Sequence, residues 1–290
     1  MTAPTLASLL EGRRFGLVMS AGFFGFYGHA GFLEGLLRSG LQPSAYAGSS
    51  AGGLIAAHAA AGASLDTLQK VLLELNREHF WDPDPIGALV GAVRGGHGST
   101  GLLKGDRFRV LLKSSLPVDS FEACPKPLVL VATNLTRARS EIFSSGDLLG
   151  PVHATCAYPG LFRAVPVRDE LFWDGGIIDK APLVALAESE AGRDLDAFLV
   201  HWLPSRSRQK LAGAFAYAQG MGVGLDAARR EHFALQLKVL EARGIPVYVV
   251  VSHLPAVSPS KLSQGRQAME AARAATGRAL SKAPEPFPSR

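Results

Sequence analysis

Gly48-Ser49-Ser50-Ala51-Gly52 reads G-x-S-x-G, and its flanks decide what that pattern can do. Ala45-Tyr46-Ala47 before it has the character of a short buried strand, and Ala51 to Ala61 after it is a helix of very small residues. A serine on a tight turn between such elements is pushed out of the sheet with its hydroxyl exposed. Gly48 and Gly52 let neighbouring backbone pass close by, and the Ala51 N–H at the helix N-terminus can stabilise an oxyanion. Ser50 is therefore a candidate nucleophile toward a carbonyl. The plainer reading is a Gly/Ser turn that caps a helix.

A serine hydroxyl is a weak nucleophile and needs a base. Asp174, in Phe172-Trp173-Asp174-Gly175-Gly176, is the candidate. Burial beside Trp173 would disfavour its charged form and raise its proton affinity, although the same residues also read as an Asp-Gly turn. Asp179 is a rival, but Asp179-Lys180-Ala181-Pro182 looks like a helix start, where the carboxylate would cap. A third element, Ser20-Ala21-Gly22-Phe23-Phe24-Gly25, has small residues whose N–H groups can face developing negative charge. A Ser-His-Asp triad is the rival mechanism. Its histidine would come late in the chain, which leaves His201 and His253, both in or after apolar strands where a core role serves as well.

These residues need a scaffold, and the apolar runs supply one. Phe15 to Met19, Ala45 to Ala47, Pro127 to Thr133, Ala197 to Trp202 and Val247 to Val251 read as strands apolar on both faces. Helical patterns alternate with them, at His29 to Arg38, Ala51 to Ala61, Asp226 to Arg243, and from Ser258-Pro259 to Leu280. In the third of these, Phe233, Leu237 and Leu240 share a stripe, with Arg229, Arg230 and Lys238 elsewhere. The alternation predicts an α/β fold, a mostly parallel sheet covered by helices on both faces. No linker divides the chain, so residues 1–281 are expected to form one domain and residues 282–290 a frayed tail. Asp82 to Gly105, rich in Gly and Pro, is expected to be an irregular excursion of the kind that forms mobile flaps.

Composition removes other classes. Of the 290 residues, 47% are hydrophobic and 19% charged, which excludes disorder. Mean hydropathy is +0.15, yet no apolar run reaches the roughly 18 residues of a membrane span. Met1 to Arg14 does not read as a secretory signal, and two cysteines, Cys124 and Cys156, fit a reducing compartment; a cytoplasmic location is expected. The net charge of +5 could favour anionic surfaces such as phospholipid head groups. No basic run interleaved with aromatics suggests nucleic acid, and the eight histidines show no metal-binding spacing. Gly96 to Gly101 satisfies G-x-G-x-x-G but follows a poor strand, so dinucleotide binding is not expected. His29 is read as helix packing, and Cys156 as an inert thiol in an apolar helix. Phe23, Phe24, Phe26 and Tyr27 form an aromatic cluster that is either core or the wall of an acyl pocket.

In this order, the elements resemble the patatin-like phospholipase family, with its Gly-rich G-G-G-x-R/K-G loop, G-x-S-x-G and D-G-G or D-G-A. His29-Ala30-Gly31-Phe32-Leu33, Thr133-Asn134-Leu135, Phe143-Ser144-Ser145-Gly146 and Ala154 to Phe162 are similar to its intervening segments. The likeness covers about residues 14–185. It implies a patatin-like three-layer sandwich and hydrolysis of lipid or phospholipid esters by a Ser–Asp dyad, Ser50 and Asp174, without a histidine, metal or cofactor. The oxyanion hole would be Ala21, Gly22, Phe23 and Ala51, with Gly25, Gly48, Gly52, Gly175 and Gly176 as motif glycines and peripheral contact with a membrane. The loop departs from the family at Ser20, Ala21 and Phe24. If the family's glycines need positive φ, Ser20 and Ala21 would be strained. A catalytically impaired lipid- or partner-binding protein is therefore the alternative, and a Ser-His-Asp esterase or thioesterase a second.

Overall fold

The computed structural model describes residues 3–94, 100–205 and 216–288. Its strands are Phe15–Met19 (β1), Ala45–Gly48 (β2), Gly101–Leu103 (β3), Leu128–Asn134 (β4), Arg139–Phe143 (β5), Gly160–Phe162 (β6), Val165–Val167 (β7), Glu170–Asp174 (β8), Ala197–Trp202 (β9) and Val247–Val251 (β10). Its helices are Leu6–Leu10 (α1), Phe26–Arg38 (α2), Ala51–Ala60 (α3), Leu65–Leu73 (α4), Pro85–Arg94 (α5), Asp106–Ser115 (α6), Leu149–Thr155 (α7), Leu183–Glu188 (α8), Ala216–Ala242 (α9) and Gly265–Leu280 (α10).

The five strands read from apolar runs lie side by side as β10-β9-β1-β2-β4, all parallel. Their alternate residues feed two separate cores. Leu17, Met19, Tyr46 and Leu199 join α2, α3, α4 and α10 on one face. Val18, Ala47, Phe198 and Val200 join α8 and α9 on the other. The result is the expected three-layer α/β sandwich, in which both strand faces lose water and the apolar effect sets the layering.

The sheet continues beyond β4 with strands that run the other way. β5 and β8 pair antiparallel with β4, and β7 with β8. A strand edge holds one partner at each position, which fixes their placement. β5 occupies Leu130 to Asn134, so β2 (Leu128 to Leu130) and β8 (Ala132 to Asn134) must share the opposite edge. They meet there head-on, their C-terminal ends separated by Val131 alone.

Some element boundaries depart from expectation. The described part of Asp82 to Gly105 is not irregular throughout: Pro85 opens α5 at the position where proline suits a helix start, and β3 pairs with β6. The last helix starts at Gly265, after a 3₁₀ turn at Leu262–Gln264, and not at Ser258-Pro259. α2 begins at Phe26, and α9 is already helical at Ala216, both earlier than the periodicity indicated. The tail expected to fray after Lys282 brings Phe287 edge-on against Trp202 and Phe233. Most of the Gly96 to Gly101 motif lies outside the described residues. Among the described residues, no helix is long and apolar enough to cross a membrane.

Candidate active site

The head-on meeting of β2 and β8 brings the candidate residues together. Gly48 pairs with Leu130, so Ser50, two residues further, is level with Ala132, and Ala132 pairs with Asp174. The Ser50 hydroxyl donates to Asp174 Oδ2 at 2.5 Å. Asp174 Oδ1 accepts from the Gly176 N–H at 2.7 Å, and the Thr133 hydroxyl donates to the Asp174 carbonyl. Gly175 is required where the chain leaves β8 against β4, because a Cβ there would lie 2.1 Å from the Val131 carbonyl oxygen.

Ser50 sits at φ 55° and ψ −126°, a conformation unfavourable for a side chain and typical of strained sites. Two contacts hold it. The Ser50 N–H donates to Thr155 Oγ1 at 2.9 Å, and the Thr155 hydroxyl donates to the Val131 carbonyl at 2.6 Å. Thr155 thus bridges the turn to the one β4 residue left between β2 and β8. Below, α3 lies directly on backbone. A Cβ on Gly52 would be 2.1 Å from the Met19 carbonyl oxygen, and one on Gly48 would be 2.5 Å from Gly52.

The loop after β1 is equally fixed. The Ser20 N–H donates to the His201 carbonyl, the Leu203 N–H donates to Ser20 Oγ, and the Gly25 N–H donates to the Gly22 carbonyl. Positive φ falls on Phe24 (51°) and not on Ser20 or Ala21, so these two are unstrained. One expected oxyanion donor is removed: the Ala21 N–H donates to the Lys180 carbonyl at 2.6 Å. The N–H groups of Gly22, Phe23 and Ala51 have no acceptor among the described residues.

Burial pushes the Asp174 carboxyl up to about 6, against the opposing pull of the hydrogen bonds from Ser50 and Gly176 and the charge of Arg229. A carboxylate with that proton affinity, 2.5 Å from a hydroxyl, can take the hydroxyl proton. The neighbouring Cys156 follows α7 rather than lying within it, and its thiol donates to the Ser50 carbonyl. Burial raises that thiol well above its ordinary value, which keeps it protonated.

The rival histidines stand differently. His201 is fully buried with both ring nitrogens engaged, Nδ1 with His29 Nδ1 at 2.8 Å and Nε2 with Ser252 Oγ at 3.0 Å. His29 Nε2 lies 2.7 Å from the Ser20 carbonyl, and burial lowers His29 to about 3. A neutral His29 that donates from Nε2 to this carbonyl accepts at Nδ1 from the His201 Nδ1–H, so the pair acts as a buried tether for the loop. His29 does more than pack its helix. His253 lines the cavity of Ser50, with no hydrogen bond to Ser50 or Asp174. Asp179 does not cap α8; its Oδ1 accepts from the Gln236 amide on α9.

Two cavities meet at Ser50. The larger, about 460 Å³, is lined by Ser50, Asp174, Ser205, Asp226, Arg229 and His253 among others. The smaller, about 110 Å³, is almost entirely apolar, walled by Phe24, Phe26, Leu72, Phe80, Phe108 and Leu112. Phe23 and Tyr158 border both. Tyr27 is not part of either wall. It is buried in the core with its hydroxyl on the Leu72 carbonyl. Among the described residues, no group of three or more His, Cys, Asp or Glu could hold a metal ion. Thr155, Lys180 and Arg229 stand out only in three dimensions. Thr155 alone had a sequence signal, its place in Ala154 to Phe162.

The sequence model of the patatin-like phospholipase family matches residues 17–187, more than half of the chain. An uncharacterized NTE family protein of Mycobacterium tuberculosis is 28% identical over 177 residues, 60% of this chain and 46% of its own. A second from the same organism is 26% identical over 61% of this chain and 29% of its own. The match therefore spans less than half the length of these relatives. Among solved structures, VipD from Legionella pneumophila is similar with a TM-score of 0.48 and 14% identity, over 92% of this chain and 67% of that one. Human GIVD cytosolic phospholipase A2 has a TM-score of 0.41 and 13% identity, over 93% and 57%.

Proposed function

The chain belongs to the patatin-like phospholipase family, and from that premise we propose that it is a serine acyl hydrolase cleaving lipid esters through Ser50 and Asp174. The observation that carries this reading is the 2.5 Å hydrogen bond from Ser50 to a carboxylate whose burial raises it to about 6.

Ser50 Oγ attacks the ester carbonyl carbon while Asp174 takes the hydroxyl proton. The carbonyl oxygen becomes an oxyanion, met by the N–H groups of Gly22, Phe23 and Ala51. The intermediate collapses, and the alcohol leaves with the proton from Asp174. Water then attacks the acyl-enzyme as Asp174 takes its proton, and Asp174 returns that proton to Ser50 Oγ as the fatty acid departs. The acyl chain occupies the apolar cavity behind Phe24 and Phe26. Unstrained backbone at Ser20 and Ala21 favours this reading over the impaired one.

The test is the pH dependence of kcat/KM for a short-chain p-nitrophenyl ester, measured in EDTA. Activity should fall about tenfold per pH unit below an apparent pKa near 6, because the base works only when deprotonated. His253→Gln should leave that limb where it is. Loss of the limb in that variant would give the role of base to the histidine, and an inactive wild type would sink the hydrolase reading.

A lipid surface is the proposed docking partner. On α5, Ile86, Leu89 and Val93 share one helical face and are 75%, 67% and 79% exposed. Surface helices ordinarily turn such a stripe inward. The helix start is tied to the apolar cavity's wall, since Arg163, next to Phe162, donates to Asp84 at 3.0 Å. Placing Leu89→Glu and Val93→Glu together should lower co-sedimentation with anionic vesicles about tenfold or more. Hydrolysis of a monomeric ester should survive. Unchanged sedimentation would remove this face from membrane contact.

A further inference from the structure

The larger cavity holds a cation that the proposed reaction leaves unused. Arg229 on α9 lines it beside Ser50 and Asp174, and its side chain is only 13% exposed. Its Nε is shut off from water and has no hydrogen-bond partner among the described residues. Asp226, one turn earlier, is its ion-pair partner, but Nη1 to Oδ1 is 3.6 Å, too long for a hydrogen bond. Asp226 Oδ1 also accepts from Ser205 Oγ at 2.7 Å, and Ser205 Oγ accepts from Lys180 Nζ at 2.8 Å. Asp226 is thus shared between Ser205 and Arg229, and Lys180 reaches it only through Ser205.

Shutting the Nε–H of a guanidinium off from water without a hydrogen bond is unfavourable unless something else supplies the acceptor. The donors of Arg form a rigid fork that fits two oxygens of a phosphate. The geometry around Ser50 says which half of a substrate would bring one. An acyl chain in the apolar cavity puts the ester at Ser50, and the alcohol half then projects into the larger cavity toward Arg229.

We propose that Arg229 is a specificity-determining residue that binds a phosphate group on the alcohol half of the substrate, so that the chain prefers acyl esters of glycerol phosphate over neutral acylglycerols. This rests on the assignment of Ser50 as the residue that attacks the ester.

The experiment compares kcat/KM for a 1-acylglycerol 3-phosphate and for the monoacylglycerol of the same chain, both as monomers, in wild type, Arg229→Gln and Arg229→Lys. The phosphate-over-neutral ratio should fall by about tenfold or more in Arg229→Gln, chiefly through KM, and recover in part in Arg229→Lys, which restores charge but not the fork. A parallel fall on both esters would confine Arg229 to the fold or to its charge on Asp174 and overturn the proposal, as would an unchanged ratio. Binding of dodecyl phosphate and of dodecanol to the Ser50→Ala protein gives a readout free of turnover, with only the phosphate sensitive to Arg229. Inorganic phosphate should displace dodecyl phosphate weakly; displacement at equal concentration would mean a free-anion site and overturn the lipid assignment. If the wild type cleaves neither ester while dodecyl phosphate binds through Arg229, the hydrolase reading fails and the anion site stands.

Discussion

Asp174→Asn is expected to lower kcat/KM for an acyl ester by roughly three to four orders of magnitude and, at pH 8, to make the protein harder to unfold. The amide can keep both contacts, with Oδ1 accepting from the Gly176 N–H and Nδ2 donating to Ser50, so the geometry survives and only the base is lost. The stability gain follows from the direction of the shift. Burial raises the folded-state value from 3.8 to about 6, so the neutral carboxyl is the form the fold prefers. Its contribution is fully present below the unfolded value of 3.8 and is lost as pH rises through about 6. At pH 8 the charged carboxylate therefore weakens the fold by about 3 kcal/mol, which asparagine removes. Ester kinetics and urea unfolding of both proteins at pH 4 and pH 8 check this. An inactive variant less stable than wild type at pH 8 would mean that Asp174 is structural.

Gly52→Ala should have the largest effect on folding, a loss of more than about 4 kcal/mol. The added Cβ would lie 2.1 Å from the Met19 carbonyl oxygen and 2.6 Å from that of Ser20. Both are backbone atoms, so no rotamer change relieves the clash, and α3 must lift off β1. That movement carries the Ser50 turn and the Ala51 N–H away from Asp174, so the fraction that still folds should also be inactive. Gly277→Ala is the control. It makes the same change inside α10 with nothing within 4 Å, and should stabilise by about 0.5–1 kcal/mol through helix propensity alone. Urea midpoints moving in opposite directions for two Gly→Ala changes in helices would separate backbone crowding from propensity. A Gly52→Ala protein as stable as wild type would mean that α3 has room to shift.

What was legible in the sequence follows from what each residue depends on. β1, β2, β4 and β9 are buried on both faces, and such strands appear as unbroken apolar runs; β10, at the sheet edge, is mostly half-buried but keeps an apolar run. β5 is mostly exposed and β8 only partly buried, so neither has such a run. α5 carried Pro and Gly and turned its apolar face outward, which made it look irregular. Ser50 was legible because its constraint is local, a strand, a turn and a small-residue helix in sequence. Asp174 was ambiguous in itself and gained meaning from the order of motifs. The aromatic cluster stayed open between core and pocket wall because residues adjacent in sequence point in several directions once wound into a helix, and Tyr27 went to the core while Phe24 and Phe26 went to the wall. Arg229 looked like a solvent-facing residue of an amphipathic helix. Its withdrawal into the cavity depends on where α9 crosses the sheet, which no local pattern records.

β4 acts as a ruler. It carries β2 and β8 head-on along one edge, and a single residue, Val131, sets the gap across which Ser50 and Asp174 meet. That gap is metered by the covalent repeat of a strand and by backbone touching backbone, not by the size of any side chain. The cavity walls come from elsewhere: α4, α6 and α9 supply Leu72, Phe108 and Arg229. On the proposed reading, reaction and selectivity are therefore written in separate parts of the chain. Random change in the helices can retune which ester is taken while the reacting pair keeps its spacing. Descendants of this scaffold would be expected to differ in diet long before they differ in chemistry.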